Sequence, residues 1–168
     1  MNISDIEESG VEILALLRAY QYGPLDRRET RIDPVVLGYF QGRFGKMSRQ
    51  HYVRMHSKPK PQRIDFRHGT HNPVVIELAV RPPSGLRELY GSQNKSELRK
   101  LTRVLPSQAR LRVLLLLDLF HKPIPLANLK ATYDVQNAGR GKFKRHRVRV
   151  IYVHKDVQYN FSWDPKTK

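Results

Sequence analysis

The segment Leu111–Phe120, LRVLLLLDLF, constrains this chain more than any other. Its apolar residues run almost without interruption instead of alternating or recurring every three to four positions, the composition of a strand in a sheet covered on both faces. At half the roughly 20 residues needed to cross a bilayer, and broken by Arg112 and Asp118, it predicts a core strand and not a membrane span. The 168 residues suit one domain, and the absence of cysteine excludes disulfide frameworks, thiolate zinc sites and thiol nucleophiles. MNISDIEESG places acids where a secretory signal carries bases, so a cytoplasmic or nucleoid-associated protein is expected.

Around that strand the periodicity predicts a helix from Ser4 to Tyr22, stopped by Gly23-Pro24. A charged connection follows, ending at Asp33-Pro34, with a short helix over Val35–Phe40. The apolar period then falls to two. Strands are expected over Arg49–His56, Gln62–His68 and Val74–Arg81, separated by Lys58-Pro59-Lys60-Pro61 and by Gly69 to Pro73. Asn94 and Glu97 form a capping-box pattern for a helix over Lys95–Leu105, with Leu98, Leu101 and Leu105 inward. After Leu111–Phe120 come a weak helix at Leu126–Tyr133, a loop rich in Gly and Lys, and strands at Arg145–His154 and Gln158–Trp163.

Glu77 is the lone acid inside VVIELAV. Alternation puts Val75, Glu77, Ala79 and Arg81 on one face of that strand, and Arg63, Asp65 and Arg67 together on the strand before it, with Ile64 and Phe66 opposite. A hairpin centred on His71 brings Asp65 opposite Glu77, where like charges destabilise the pair. A divalent cation, a shared proton, or ion pairs to Arg63 and Arg81 would each offset the repulsion. Asp65, His68 and His71 also form D-x-x-H-x-x-H, a weaker pattern for zinc. No Gly-rich nucleotide loop or hydrolase elbow is present.

The order helix, three strands, helix, strand, with RIDF on the second strand and VVIELAVR on the third, resembles the core of the PD-(D/E)XK nuclease superfamily over about residues 4–120. That resemblance implies an α/β, restriction-endonuclease-like core (residues 1–125) completed by a basic, strand-containing C-terminal extension (126–168). It implies Mg²⁺ or Mn²⁺ held by Asp65 and Glu77 and hydrolysis of phosphodiesters in DNA or RNA. The family's usual lysine position is Ala79 here. Lysines moved onto the following helix are known in the superfamily, which makes Lys95 the replacement, with Arg81 able to supply charge and Gln93 a hydrogen bond. The family often adds an acid on the first helix, at Glu8 or Glu12 in this chain.

Charge supports a polyanion partner independently. Residues 1–40 carry seven acids and four bases, whereas residues 41–168 carry eight acids and 27 bases, out of a net +16. Such a field attracts nucleic acid. In RGKFKRHRVRVIYVH, Arg145, Arg147 and Arg149 alternate with Val148, Val150 and Tyr152; Lys142 and Lys144 precede them, and Phe143 offers a stacking surface. Arg43, Lys46, Arg49, Arg54, Lys58 and Lys60, with Tyr52 among them, form a second patch, and Arg81 joins the binding set. Alternatively the basic strands only discourage edge-to-edge aggregation. The functional expectation is a metal-dependent nuclease, DNA favoured over RNA. The alternatives are a catalytically inactive nuclease-fold subunit that binds nucleic acid in a larger complex or as a homodimer, and a structural ribonucleoprotein component.

Overall fold

The computed structural model describes residues 1–19, 32–56, 58, 60–85, 89, 92–133 and 146–164, with the backbone alone described at 92 and 93. Ten elements follow in chain order: α1 (Ile3–Ala19), α2 (Asp33–Phe44), β1 (Met47–Val53), β2 (Gln62–His68), β3 (Val74–Arg81), α3 (Ser92–Leu101), β4 (Leu111–Asp118), α4 (Leu126–Tyr133), β5 (Val148–His154) and β6 (Gln158–Trp163). The six strands form one mixed sheet in sequential order, β1-β2-β3-β4-β5-β6. The β1–β2, β2–β3 and β5–β6 pairs are antiparallel, and β4 lies parallel to β3 and β5. Antiparallel neighbours need only short turns, whereas the two parallel steps carry crossovers containing α3 and α4.

Both faces of the sheet are covered, as the uninterrupted apolar run in β4 demands. Leu114 and Leu116 pack with Leu98 and Leu101 of α3 and with Leu129 and Tyr133 of α4. Val113, Leu115 and Leu117 pack on the other side with Ile6, Ile13 and Leu17 of α1 and Val36 and Phe40 of α2. Gly10 lets α1 lie close to the sheet, since a Cβ there would stand 2.9 Å from Val153 Cγ2. Each fully buried leucine contributes about 2 kcal/mol by area, so β4 anchors both layers. The C-terminal strands enlarge the four-stranded core to six within the same sheet. Among the described residues no helix is long and apolar enough to cross a membrane.

The limits of β2, β3 and α4 match expectation, and the expected hairpin register is present in Phe66↔Ile76, Arg67↔Val75 and His68↔Val74. Other expectations change: α2 extends beyond Val35–Phe40 to Asp33–Phe44, α3 ends at Leu101 and not Leu105, β4 ends at Asp118 and not Phe120, and β5 starts at Val148 and not Arg145. α3 starts at Ser92, so Asn94 lies inside the helix and does not cap it. β1 starts at Met47 and ends at Val53. Most important, Ile64 and Phe66 do not share a face: Ile64 packs in the α3 layer and Phe66 in the α1–α2 layer. Residues two apart share a face only in a regular strand. The irregularity sits at Gln50, whose φ is +52°, opposite Asp65, where the β1–β2 ladder skips one pair. Met47 and Val53 change layers across the same point.

Candidate active site

The break at Asp65 shapes the site. The β2–β3 ladder stops at Phe66↔Ile76, and beyond it the Asp65 carboxylate, acting in place of a backbone carbonyl, accepts the Leu78 N–H at 2.9 Å. Asp65 is thus anchored at the level of Glu77, with its other oxygen, Oδ1, not engaged in that bond. Glu77 faces the α3 layer and is 1% exposed. Burial pushes its carboxyl well above the usual range, and the nearby Asp65 charge pushes the same way. The two acids that the register brings together are therefore electrostatically coupled.

Lys100 of α3 answers that buried charge. Its Nζ lies 2.6 Å from Glu77 Oε1 and also contacts Glu97. Burial alone would depress the ammonium, but the two carboxylates outweigh it and hold the Lys100 pKa above its ordinary value. The expected Lys95 forms no ion pair with Glu77 among the described residues; Lys100 does. Lys95 and Lys100 flank the Leu98–Leu101 stripe on opposite sides, and Glu77 lies on the Lys100 side. Ala79 is buried with Leu98 and Leu101, so a lysine at its place would enter the apolar core. Gln93 has no described side chain.

Lys100 opens onto a groove of about 510 Å³ bounded by Met55, Lys58, Gln62, Arg63, Ser96, Glu97, Arg99, Lys100 and Arg103. Five cations thus face one acid. The groove walls are tied together: Met55 bridges to Val104, Leu105 N–H donates to Arg54 O, and His56 N–H donates to Arg103 O. Arg112 is 6% exposed; it clamps the turn after α3 by donating through Nε and Nη2 to Val104 O at 3.1 and 2.8 Å. The chain re-enters beside this groove, where the His146 ring stacks on His56 at 5.4 Å and His146 N–H donates to Thr102 O.

The remaining sequence candidates scatter. Arg43 binds Glu8 at 2.6 Å and Glu12 at 2.8 Å, which ties α1 to α2 and engages both first-helix acids away from the Glu77 site. Arg49 pairs with Asp33 at 2.7 Å. Arg81 pairs with Asp118 at 3.2 Å and stacks on Phe120, so it serves the β3–β4 end and is not an open binding cation. Lys46, Arg54 and Lys60 are exposed outside the groove lining, which of that patch includes Lys58 alone. Arg147 is exposed and pairs with Asp164, while Arg149 is half-buried on β5, flanked by β4 and β6. These two do not form an open row, because Arg147 is engaged by Asp164 and Arg149 is half-buried. Lys142, Lys144, Arg145 and Phe143 lie outside the described residues. His68 is turned to Phe44 O, and Asp65 to Leu78, so the zinc pattern does not converge.

Two acids supply only hard oxygen donors, which suits Mg²⁺ or Mn²⁺, ions that keep several waters and need few protein ligands. Among the described residues no group of three or more His, Cys, Asp or Glu side chains is arranged around a metal position. Sequence reasoning missed Lys100, Glu97, Arg99 and Arg103; the available signal was the ELRKLTR run, with Glu97 and Lys100 one turn apart. No protein-family model matches the chain, and comparison with curated proteins and with solved structures gives no match.

Proposed function

We propose that this chain is a nucleic-acid-processing protein of PD-(D/E)XK type that hydrolyses phosphodiesters. The observation that carries the reading is the buried Glu77–Lys100 contact at the inner wall of a cationic groove. The element order, with an acid at the break between β2 and β3 and a second within β3, supports a restriction-endonuclease-like core. Lys58, Arg63, Arg99 and Arg103 bind backbone phosphates, a contact that fixes register without reading sequence. Asp65 and Glu77 would hold Mg²⁺ or Mn²⁺, which when bound supplies an activated water and polarises the phosphoryl oxygen. Lys100 takes the part of the lysine missing at position 79. Its ammonium steadies negative charge gathering on the phosphate, an electrostatic effect made stronger by a site sheltered from water. Glu97 orients that ammonium. DNA is favoured over RNA as the substrate.

One observation favours the second reading, a nuclease-fold subunit that binds without cutting: Lys100 is held by two carboxylates, which compete with any phosphate for it. Incubating single-stranded, duplex and branched DNA and RNA with Mg²⁺ or Mn²⁺ separates the two. Cutting that disappears in Asp65→Ala, Glu77→Ala and Lys100→Met supports the enzyme. Salt-sensitive binding with no cutting supports the subunit, and neither binding nor cutting removes both.

A further inference from the structure

Two carboxylates close on one ammonium at the inner wall of the cationic groove. Glu77 reaches it from the middle of β3, and Glu97 from α3, one turn before Lys100. Glu77 Oε1 and Glu97 Oε2 are both shut off from solvent, and neither has a partner in hydrogen-bond geometry. Lys100 Nζ nonetheless stands 2.6 Å from Glu77 Oε1 and touches Glu97 Oε2. Charge, not donor direction, therefore holds the ammonium there. Buried carboxylate oxygens without directed donors are costly, and a spherical cation, indifferent to donor angle, is the group that satisfies them.

Asp65 adds a further negative charge near Glu77, so one ammonium answers three acids. A doubly charged ion balances them better. Lys100 also has somewhere to go, because its flexible stem opens onto the groove where Lys58, Arg63, Arg99 and Arg103 gather. We propose that the Lys100 ammonium holds the place of a divalent cation between Glu77 and Glu97, and moves into the groove when the ion enters. Glu97 orients the ammonium before the exchange and ligates the ion after it. Hard ions such as Mg²⁺ or Mn²⁺ suit the seat, since its donors are all carboxylate oxygens. The exchange adds one more cation to the groove as the ion arrives. Metal at the seat and a polyanion in the groove therefore strengthen each other's binding by equal factors. This coupling rests on the proposed function for what fills the groove, whereas the exchange at the seat does not.

The test is Mn²⁺ binding by the full chain, freed of nucleic acid. Lys100→Met keeps an unbranched stem and removes the charge, and it should bind Mn²⁺ at least ~10-fold more tightly than wild type. Adding Glu97→Gln to Lys100→Met should reverse most of that gain, because the seat loses a ligand. Wild type supplies a second readout that needs no variant. Reductive methylation of Lys100, followed by mass spectrometry, should speed up several-fold when Mn²⁺ is added, while the exposed Lys46 reacts at an unchanged rate. The inference is overturned by a Lys100→Met protein that binds Mn²⁺ no better than wild type, by a gain that survives Glu97→Gln, or by a Lys100 rate indifferent to Mn²⁺. If the expected results appear and no nucleic acid is cut, the seat stands and the hydrolytic reading falls.

Discussion

Two buried acids, one strand apart, show how similar burial serves different ends. Asp118, at the end of β4, is fully buried and fully answered. It accepts the Tyr152 O–H at 2.5 Å, the Phe120 N–H at 3.0 Å and the Arg81 guanidinium at 3.2 Å. Tyr152 O in turn accepts the Ile124 N–H, closing a network that pins the ends of β3, β4 and β5. Glu77, at 1% exposure, is met by Lys100, Asp65 adds like charge, and the lysine faces a groove. A satisfied buried carboxylate rigidifies, whereas an incompletely satisfied one is an energetic liability that a functional site tolerates.

Removing each acid should break this comparison in opposite directions. Asp118→Ala leaves Arg81 and Tyr152 without their shared acceptor and is expected to cost about 3–5 kcal/mol, read by denaturant unfolding. Glu77→Gln should lower metal-dependent cutting at least ~100-fold while leaving the denaturation midpoint unchanged or higher. If Glu77→Gln instead unfolds the protein, the acid is structural and the contrast with Asp118 fails.

A pH series sharpens the same point. Because the folded Glu77 carboxyl sits above its ordinary 4.5, the folded state holds this proton more tightly than the unfolded chain. Its contribution to stability is complete below 4.5 and is lost as pH rises through the raised value, with a slope no steeper than ~1.4 kcal/mol per pH unit. Glu77→Gln should flatten that decline, measured as unfolding free energy against pH. The smallest expected effect lies in the groove. Arg99→Ala and Arg103→Ala should each reduce the dependence of log affinity on log salt by about 1, whereas Arg43→Ala, across the sheet, should leave it unchanged.

Much of the scaffold was legible because its signals are local. The alternation of VVIELAVR fixes the faces of β3, and the Gly69 to Pro73 turn fixes the register that brings Asp65 to the level of Glu77. What escaped depends on packing. The positive φ falls on Gln50, a residue type that gives no warning of one, so the change of face at Ile64 and Phe66 is silent in the sequence. The choice of Lys100 over Lys95 depends on which flank of α3 lies above Glu77, and helical spacing alone leaves both flanks open. Basic residues were easy to count but hard to place, because many of them are spent on ion pairs with Glu8, Asp33, Asp118 and Asp164.

The central position of β4 bears on how the protein is made. Its second partner, β5, follows it in the chain only after the crossover containing α4, so a nascent chain ending short of Val148 presents a bare leucine edge with nothing to pair with. Cooperative folding must wait until β5 has been made, and a premature stop before Val148 would yield an aggregation-prone fragment.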